Sequence, residues 1–282
     1  MDNIKRVSIL GCGWLGYPLA LQLLNQGFKV KGSTTSQHKI DVFKEAGIIP
    51  YQFTLGNEKS RSAPGDTDFF QTDLLIITLP PKVRKQGPEH GISQIESVKE
   101  ATGSFDGKVI YTSSTSVYPT DGKSHDEMSL QNLPVKTSPL AHIEELLKNT
   151  FGNKLTILRL GGLFGYDRIP VKYFLDKKEI DNGNFPVNYL HRDDAVKSVM
   201  TVIDRQAWGI IYNVVAPKHP TRKQVFLRNA AILNVKAPAF SNITTGNFKI
   251  INGNKMMDEL GFIYQYPDPL GFSYNHFTNP CK

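Results

Sequence analysis

Residues 6 to 16 read Arg6-Val7-Ser8-Ile9-Leu10-Gly11-Cys12-Gly13-Trp14-Leu15-Gly16. A short apolar run stops on three glycines spaced Gly-x-Gly-x-x-Gly, and Tyr17 to Leu24 follows with helical periodicity. A strand, a tight turn and a helix in this order open a βαβ unit, so a parallel sheet is expected behind them. Each glycine has its own physical reason. Gly11 permits the tight turn off the strand, Gly13 lets backbone approach a bound group closely, and Gly16 lets the helix pack on the strand. The helix start offers unpaired N–H groups and the positive end of its dipole, which suits a diphosphate. The stretch Gly11, Cys12, Gly13, Trp14, Leu15, Gly16 is therefore expected to hold a dinucleotide. A purely structural turn is the competing reading, and the strand before and the helix after weigh against it.

With 282 residues the chain is long enough for one large domain or two small ones. No apolar run approaches the ~20 residues that span a bilayer, and no signal-peptide pattern opens the chain, so a cytoplasmic protein without membrane contact is expected. Cys12 and Cys281 lie too far apart in character to suggest a disulfide framework. The net charge of +7 comes from scattered basic residues, with short clusters at Lys82-Val83-Arg84-Lys85 and Arg222-Lys223. Neither cluster is interleaved with aromatics as a base-stacking surface is, so no nucleic-acid partner is expected. A basic cleft for a phosphorylated small molecule accounts for the excess equally well.

Phe28 to Ser33 reads as the second strand of the βαβ unit. NAD-preferring sites place Asp or Glu about 20 residues beyond the glycines to bind the ribose 2′-hydroxyl. Here the neighbourhood is Gly32-Ser33-Thr34-Thr35-Ser36-Gln37-His38-Lys39, without an acid. Ser33, Thr34 and Thr35 with nearby His38 and Lys39 suit a 2′-phosphate, so NADP is preferred over NAD. A Ser/Thr-rich helix cap is the competing reading.

Asp73 to Leu79 is a buried strand by its continuous apolar run, and Leu79, Pro80 and Pro81 end it at the carboxyl edge, where ligands of open α/β sheets sit. Helices are expected over residues 41–47, 92–102 and 140–148. Lys108 to Thr112 is another buried strand, running into Ser113-Ser114-Thr115-Ser116-Val117-Tyr118, and Leu155 to Leu160 runs into Gly161-Gly162. Farther on, Val187 to His191 and Ile210 to Val215 read as strands. Helices are expected from Arg192, from Arg222 behind a Thr221 cap, and at 255–261. The alternation predicts an α/β fold, a Rossmann-type doubly wound parallel sheet with a smaller C-terminal α/β cap. Residues 1–165 form the NAD(P)-binding domain in this reading. Residues 166–282 form the substrate-binding cap, with the strand near 210–215 returning to the main sheet.

In this order the landmarks resemble the extended branch of the short-chain dehydrogenase/reductase family, which includes nucleotide-sugar epimerases, dehydratases and reductases. The resemblance runs from the glycine turn through Ser113 to Tyr118, Arg159 to Gly165, Tyr189 to Ala195 and Tyr212-Asn213-Val214 to Glu259-Leu260-Gly261. Extended members usually carry Gly-x-x-Gly-x-x-Gly; the shorter spacing here is similar to the atypical subgroup. The resemblance implies NAD(P), a phosphorylated or sugar-nucleotide substrate, and a homodimer. It also implies that Ser113, Gly161 and Gly162 touch the cofactor and that Ser114 is the catalytic Ser/Thr. Thr115, Tyr118, Tyr166 and Arg168 are expected at the substrate.

The family's redox members use Tyr-x-x-x-Lys, the Lys ammonium drawing the Tyr well below its ordinary pKa of ~10. Here the Tyr position falls on Lys136 and the Lys position on Leu140, and residues 119 to 165 contain no tyrosine. Lys136 is the candidate acid, its bland alternative a solvated surface lysine; His142 is a second candidate base. Two functions stay open: an NADP-dependent oxidoreductase or epimerase, and a non-catalytic NADP-binding redox sensor.

Overall fold

The computed structural model describes residues 4–55, 66–80, 87–131 and 138–274. Seven parallel strands form the central sheet in the order β3-β2-β1-β4-β5-β6-β7: β1 (Arg6–Leu10), β2 (Lys29–Thr34), β3 (Ile49–Gln52), β4 (Leu74–Ile77), β5 (Lys108–Ser114), β6 (Leu155–Leu160) and β7 (Ile211–Val214). The doubly wound sheet expected from the alternation is present. β7 lies beside β6 in parallel register, Tyr212 opposite Leu158, so a segment after residue 165 completes the main sheet.

Strand residues alternate between two cores, as the period of two requires. Leu74 and Ile76 of β4 join Val7, Ile9 and Leu158 beneath helices α1 (Gly16–Asn25) and α5 (Arg192–Arg205). Leu75 and Ile77 face the other way, with Val109, Tyr111 and Ile157, beneath α3 (Pro88–Thr102) and α4 (Pro139–Phe151). β4 and β6 are buried along their whole length, which is why β4 reads as a continuous apolar run and β6 as one broken only by Thr156 and Arg159. Between β2 and β3 runs α2 (Lys39–Glu45).

A third, smaller core of Ile169, Val171, Ile180, Val187, Val225 and Phe226 lies beyond the sheet, under α6 (Arg222–Leu233). Thr221 caps α6 as expected, its hydroxyl accepting from the Gln224 amide at 3.2 Å. A last helix, α7 (Asn254–Leu260), stops at Gly261 with φ +65°.

β3 and α3 are among the elements that differ from expectation. β3 was not legible: it is an outer strand of mixed polarity, and Pro50, opposite Gly32, is tolerated because nothing pairs on its far side. α3 starts at Pro88, ahead of the apolar positions that announce it, since proline suits the first turn of a helix.

Chain order places the functional end of the sheet. From β1 the connections run outward to β2 and β3, and from β4 they run the other way to β5, β6 and β7. The carboxyl ends of β1 and β4 thus form the switch point, the crevice where open α/β sheets bind ligands. It is stitched by Thr78, whose amide donates to Leu10 O at 2.9 Å and whose hydroxyl donates to Gly11 O at 2.7 Å.

Candidate functional site

The glycine turn lies at that crevice, and its three glycines differ in the way the spacing requires. Gly11 has φ +94°, and a Cβ there would meet Leu79 N at 3.2 Å. A Cβ on Gly16 would come within 2.7 Å of Gly11 O and 3.0 Å of Ile9 Cγ2, so only glycine lets α1 pack this closely on β1. A Cβ on Gly13 would meet nothing nearer than Gly11 O at 3.9 Å. Gly13 is small toward the crevice, where a ligand's backbone-hugging group would lie. No side chain caps α1 and no acid occupies its first turn, so its N-terminus faces the crevice with its partial positive charge intact.

β2 anchors the turn. Gly11 N donates to Ser33 Oγ at 2.8 Å and Cys12 N to Ser33 O at 2.9 Å. Cys12 is buried against Gly32, where an added Cβ would touch its Sγ at 3.1 Å. Ser33, expected at the ligand, holds the turn with its hydroxyl. Thr34 spends its hydroxyl on a local turn, accepting from the Ser36 amide at 3.1 Å, and no side chain caps α2, whose N-cap is His38.

Two cavities meet at the turn and share Gly11, Gly13, Leu79 and Pro80. The one beside β2, about 400 Å³, adds Ser33, Thr34, Thr35, Ser36 and Lys39, with His90 and Gln94 from α3. No carboxylate is among the described residues that line it. The one beside β5, about 430 Å³, adds Trp14, Leu15, Ser113, Ser114, Leu140, Gly161, Gly162 and Arg168. The expected cofactor residues therefore line one continuous groove, except Gly16, whose part is the packing of α1, and Pro81. Pro81 and Lys136 lie outside the described residues, as do Cys281 and the basic cluster at 82–85.

In the β5 cavity Ser114 is partly exposed, and its hydroxyl accepts from Ser116 N at 3.1 Å and from Ser116 Oγ at 2.9 Å. Its own proton is free to point to a ligand oxygen. Leu140, expected at the family's Lys position, lines the same cavity with a fully apolar side chain. Tyr111 also borders it, but burial pushes its phenol upward, out of reach of proton transfer near neutral pH. His142 sits on α4 and is not among the lining residues of either cavity.

Tyr118 corrects an expectation. It was placed at the substrate because it follows the carboxyl end of β5. A 3-10 turn at Thr115–Val117 instead folds the chain back, leaving Tyr118 2% exposed beneath the site. Its hydroxyl accepts from Arg159 Nη1 at 2.7 Å and donates to Asn213 Oδ1 at 2.7 Å, and burial pushes its pKa up to about 12. Thr115, also expected at the substrate, is buried in the same turn at 5% exposure.

The partners of Tyr118 form a network that the sequence reading missed. Arg159 and Glu144 are each 2% exposed, and Arg159 donates Nη2 to Glu144 Oε2 at 2.7 Å and Nε to Oε1 at 3.1 Å. Ser113, on the cavity wall, donates to Glu144 Oε1 at 2.6 Å. A lone arginine inside the apolar run Leu155 to Leu160 was the available signal, since a buried charge requires a buried partner.

Across the cavity, the loop after β6 brings Tyr166, Asp167 and Arg168 to the glycine turn. Trp14 Nε1 donates to Asp167 Oδ1 at 2.6 Å, and the Arg168 guanidinium lies 4.0 Å from the Trp14 ring centroid. Tyr166, in left-handed backbone at φ +52°, donates its hydroxyl to Asp193 and does not line the cavity. His191, fully buried, accepts at Nδ1 from the Asp193 amide at 3.2 Å and so caps α5. Burial lowers its pKa to about 4.

No protein-family model matches the chain. It is 36% identical over 271 residues to Protein YeeZ of Escherichia coli K12, covering 95% of this chain and 98% of that protein. Among solved structures it resembles a Bacillus cereus UDP-glucuronic acid 4-epimerase in complex with UDP-glucuronic acid and NAD, with a TM-score of 0.73 and 15% identity over 96% of this chain and 98% of that one. A dTDP-glucose 4,6-dehydratase of Bacillus anthracis in complex with NAD gives 0.73 and 13% identity, over 96% and 95% of the two chains. Likeness at these identities is likeness of fold. The chain belongs to the family of Protein YeeZ, and it shares its fold with that epimerase and that dehydratase.

Proposed function

We propose that the groove across the switch point binds a nicotinamide dinucleotide and that the protein acts on a phosphorylated or nucleotide-sugar substrate. The observation that carries this is the pair of cavities joined at Gly11, Gly13, Leu79 and Pro80, with Gly13 unobstructed and α1 uncapped at the junction. Those residues fit a diphosphate at the junction, an adenosine end beside β2 and a nicotinamide end beside β5. NAD in the epimerase and dehydratase of like fold supports a nicotinamide dinucleotide as the ligand. NADP is the preferred form in this reading, because Lys39 lines the β2 cavity and no carboxylate among the described residues does.

The bound nicotinamide supplies hydride transfer. The chain's own part is to orient it and to manage the accompanying proton. Ser114 donates its hydroxyl to the reacting oxygen, Gly161 and Gly162 border the nicotinamide end, and Lys136 is the candidate proton donor. Residues after 165 close the substrate side. The reading carries with it a cytoplasmic setting and a homodimer, the latter measurable as molar mass by light scattering.

A second reading, a dinucleotide-responsive regulator without turnover, is favoured by Leu140, which sets an apolar side chain where the family's lysine ammonium would be. Cofactor absorbance during incubation with a panel of nucleotide sugars separates the two. Enzyme action predicts a substrate-dependent change that Ser114→Ala abolishes while NADPH affinity is retained. Full turnover by Ser114→Ala removes that residue from the mechanism, and no change with any substrate leaves the regulator.

A further inference from the structure

Arg168 is a half-buried cation with no ion pair among the described residues. Among the described residues its guanidinium has no ion pair or hydrogen bond; its contact is the face of Trp14, 4.0 Å from the ring centroid. The adjacent carboxylate, Asp167, accepts from Trp14 Nε1 at 2.6 Å. A second guanidinium, Arg192, lies 5.1 Å from the same ring and adds charge of the same sign, its own nearest carboxylate being Asp193 at 3.7 Å. Burial lowers the pKa of Arg168 from its ordinary value; Tyr173 and Asp167 offset part of that, and Arg192 adds to it. A cation held partly out of water with no partner is costly, and an anion in the cavity it lines removes that cost.

The placement says which anion. Trp14 directly follows Gly13, so the platform under Arg168 belongs to the phosphate-binding turn itself. Arg168 borders the β5 cavity and is absent from the walls of the β2 cavity, so it faces the nicotinamide side of the junction. We infer that Arg168 binds the phosphate of the dinucleotide nearer the nicotinamide, closing over the diphosphate from the loop after β6. The inference rests on the dinucleotide reading above. A planar guanidinium fork stacked on an indole presents two N–H groups to phosphate oxygens, opposite the partial charge of the α1 N-terminus. The loop after β6, which also begins the substrate side, is thereby latched to bound cofactor.

The test compares NADPH with adenosine 2′,5′-bisphosphate, which lacks the nicotinamide-side phosphate, on wild type, Arg168→Gln and Arg168→Lys, by calorimetry. Loss of a charge-assisted contact predicts NADPH about 10- to 100-fold weaker in Arg168→Gln, with Arg168→Lys between, and the bisphosphate within about 2-fold of wild type. Unchanged NADPH affinity in Arg168→Gln overturns the assignment while leaving the dinucleotide reading intact. Equal weakening of both probes also overturns it, since Arg168 then acts only on the shape of the cleft. Wild type that binds neither probe removes the dinucleotide reading and this inference with it.

Discussion

A methyl group at Gly13 and one at Gly16 ask different questions of the same turn. At Gly16 it collides with Gly11 O at 2.7 Å, a contact between backbone atoms that cannot swing aside. Gly16→Ala is therefore expected to destabilise the fold by about 1–3 kcal/mol, the usual cost of overpacking. At Gly13 the methyl meets only Gly11 O at 3.9 Å and projects into the groove. Gly13→Ala is expected to unfold within about 0.5 kcal/mol of wild type, as a neutral substitution does, and to weaken NADPH at least tenfold. Denaturant unfolding and a binding titration on both variants check this; a destabilised Gly13→Ala with normal binding contradicts it.

His191 gives a second prediction at this scale. Its pKa in the folded protein is lowered from 6.5 to about 4, chiefly by burial. The folded state keeps it neutral while the unfolded chain takes up a proton as pH falls through 6.5, so stability is lost between about pH 6.5 and 4. By about pH 5 the loss from this group is roughly 2 kcal/mol. Asn retains N-cap chemistry without titrating. Urea unfolding at about pH 7.5 and pH 5 should show a fall in wild type larger than in His191→Asn by that amount; equal falls contradict it.

At the scale of elements, β5, β6 and α4 are tied together through Glu144, Arg159 and Ser113. Removing the carboxylate strands a buried guanidinium, so Glu144→Ala is expected to cost about 3–5 kcal/mol. Glu144→Ala with Arg159→Met should recover much of that loss, because the pair's net contribution is small compared with the penalty of breaking it. Chemical denaturation of the single and double variants measures this, and a double variant no better than Glu144→Ala contradicts the account.

The same elements show where sequence reading stops. β1, β4, β5 and β6 were legible because each is an apolar run ended by glycine, proline or hydroxyl residues. β3 was not, since Ile49-Pro50-Tyr51-Gln52 carries neither alternation nor an apolar run. In the site, the glycines were legible because backbone conformation and close approach constrain residue type directly. Tyr118 was misplaced because one short turn decides whether a side chain faces the groove or the core. The pairing of Arg159 with Glu144, and of Trp14 with Asp167 and Arg168, exists only once separate elements are packed, and no local pattern encodes it.

At the scale of the whole molecule, the strand order makes a single crevice at β1 and β4, and the glycine turn, the Ser/Thr segment after β2 and the wall after β5 all converge on it. The proposed preference for NADPH over NADH rests on one end of that crevice, where Lys39 lies. Lys39→Ala is expected to weaken NADPH about tenfold or more, as loss of a charge–phosphate contact does, and to leave NADH nearly unchanged. Equal affinities of wild type for the two dinucleotides contradict the preference without touching the site itself.

The existence of the site is tested most directly by titrating the folded protein with NADPH and, separately, NADH, and following nicotinamide fluorescence. The account predicts a saturable change with one equivalent of dinucleotide per chain, tighter for NADPH and weakened by Gly13→Ala. Protein that is folded by circular dichroism and gives no change with either dinucleotide contradicts it.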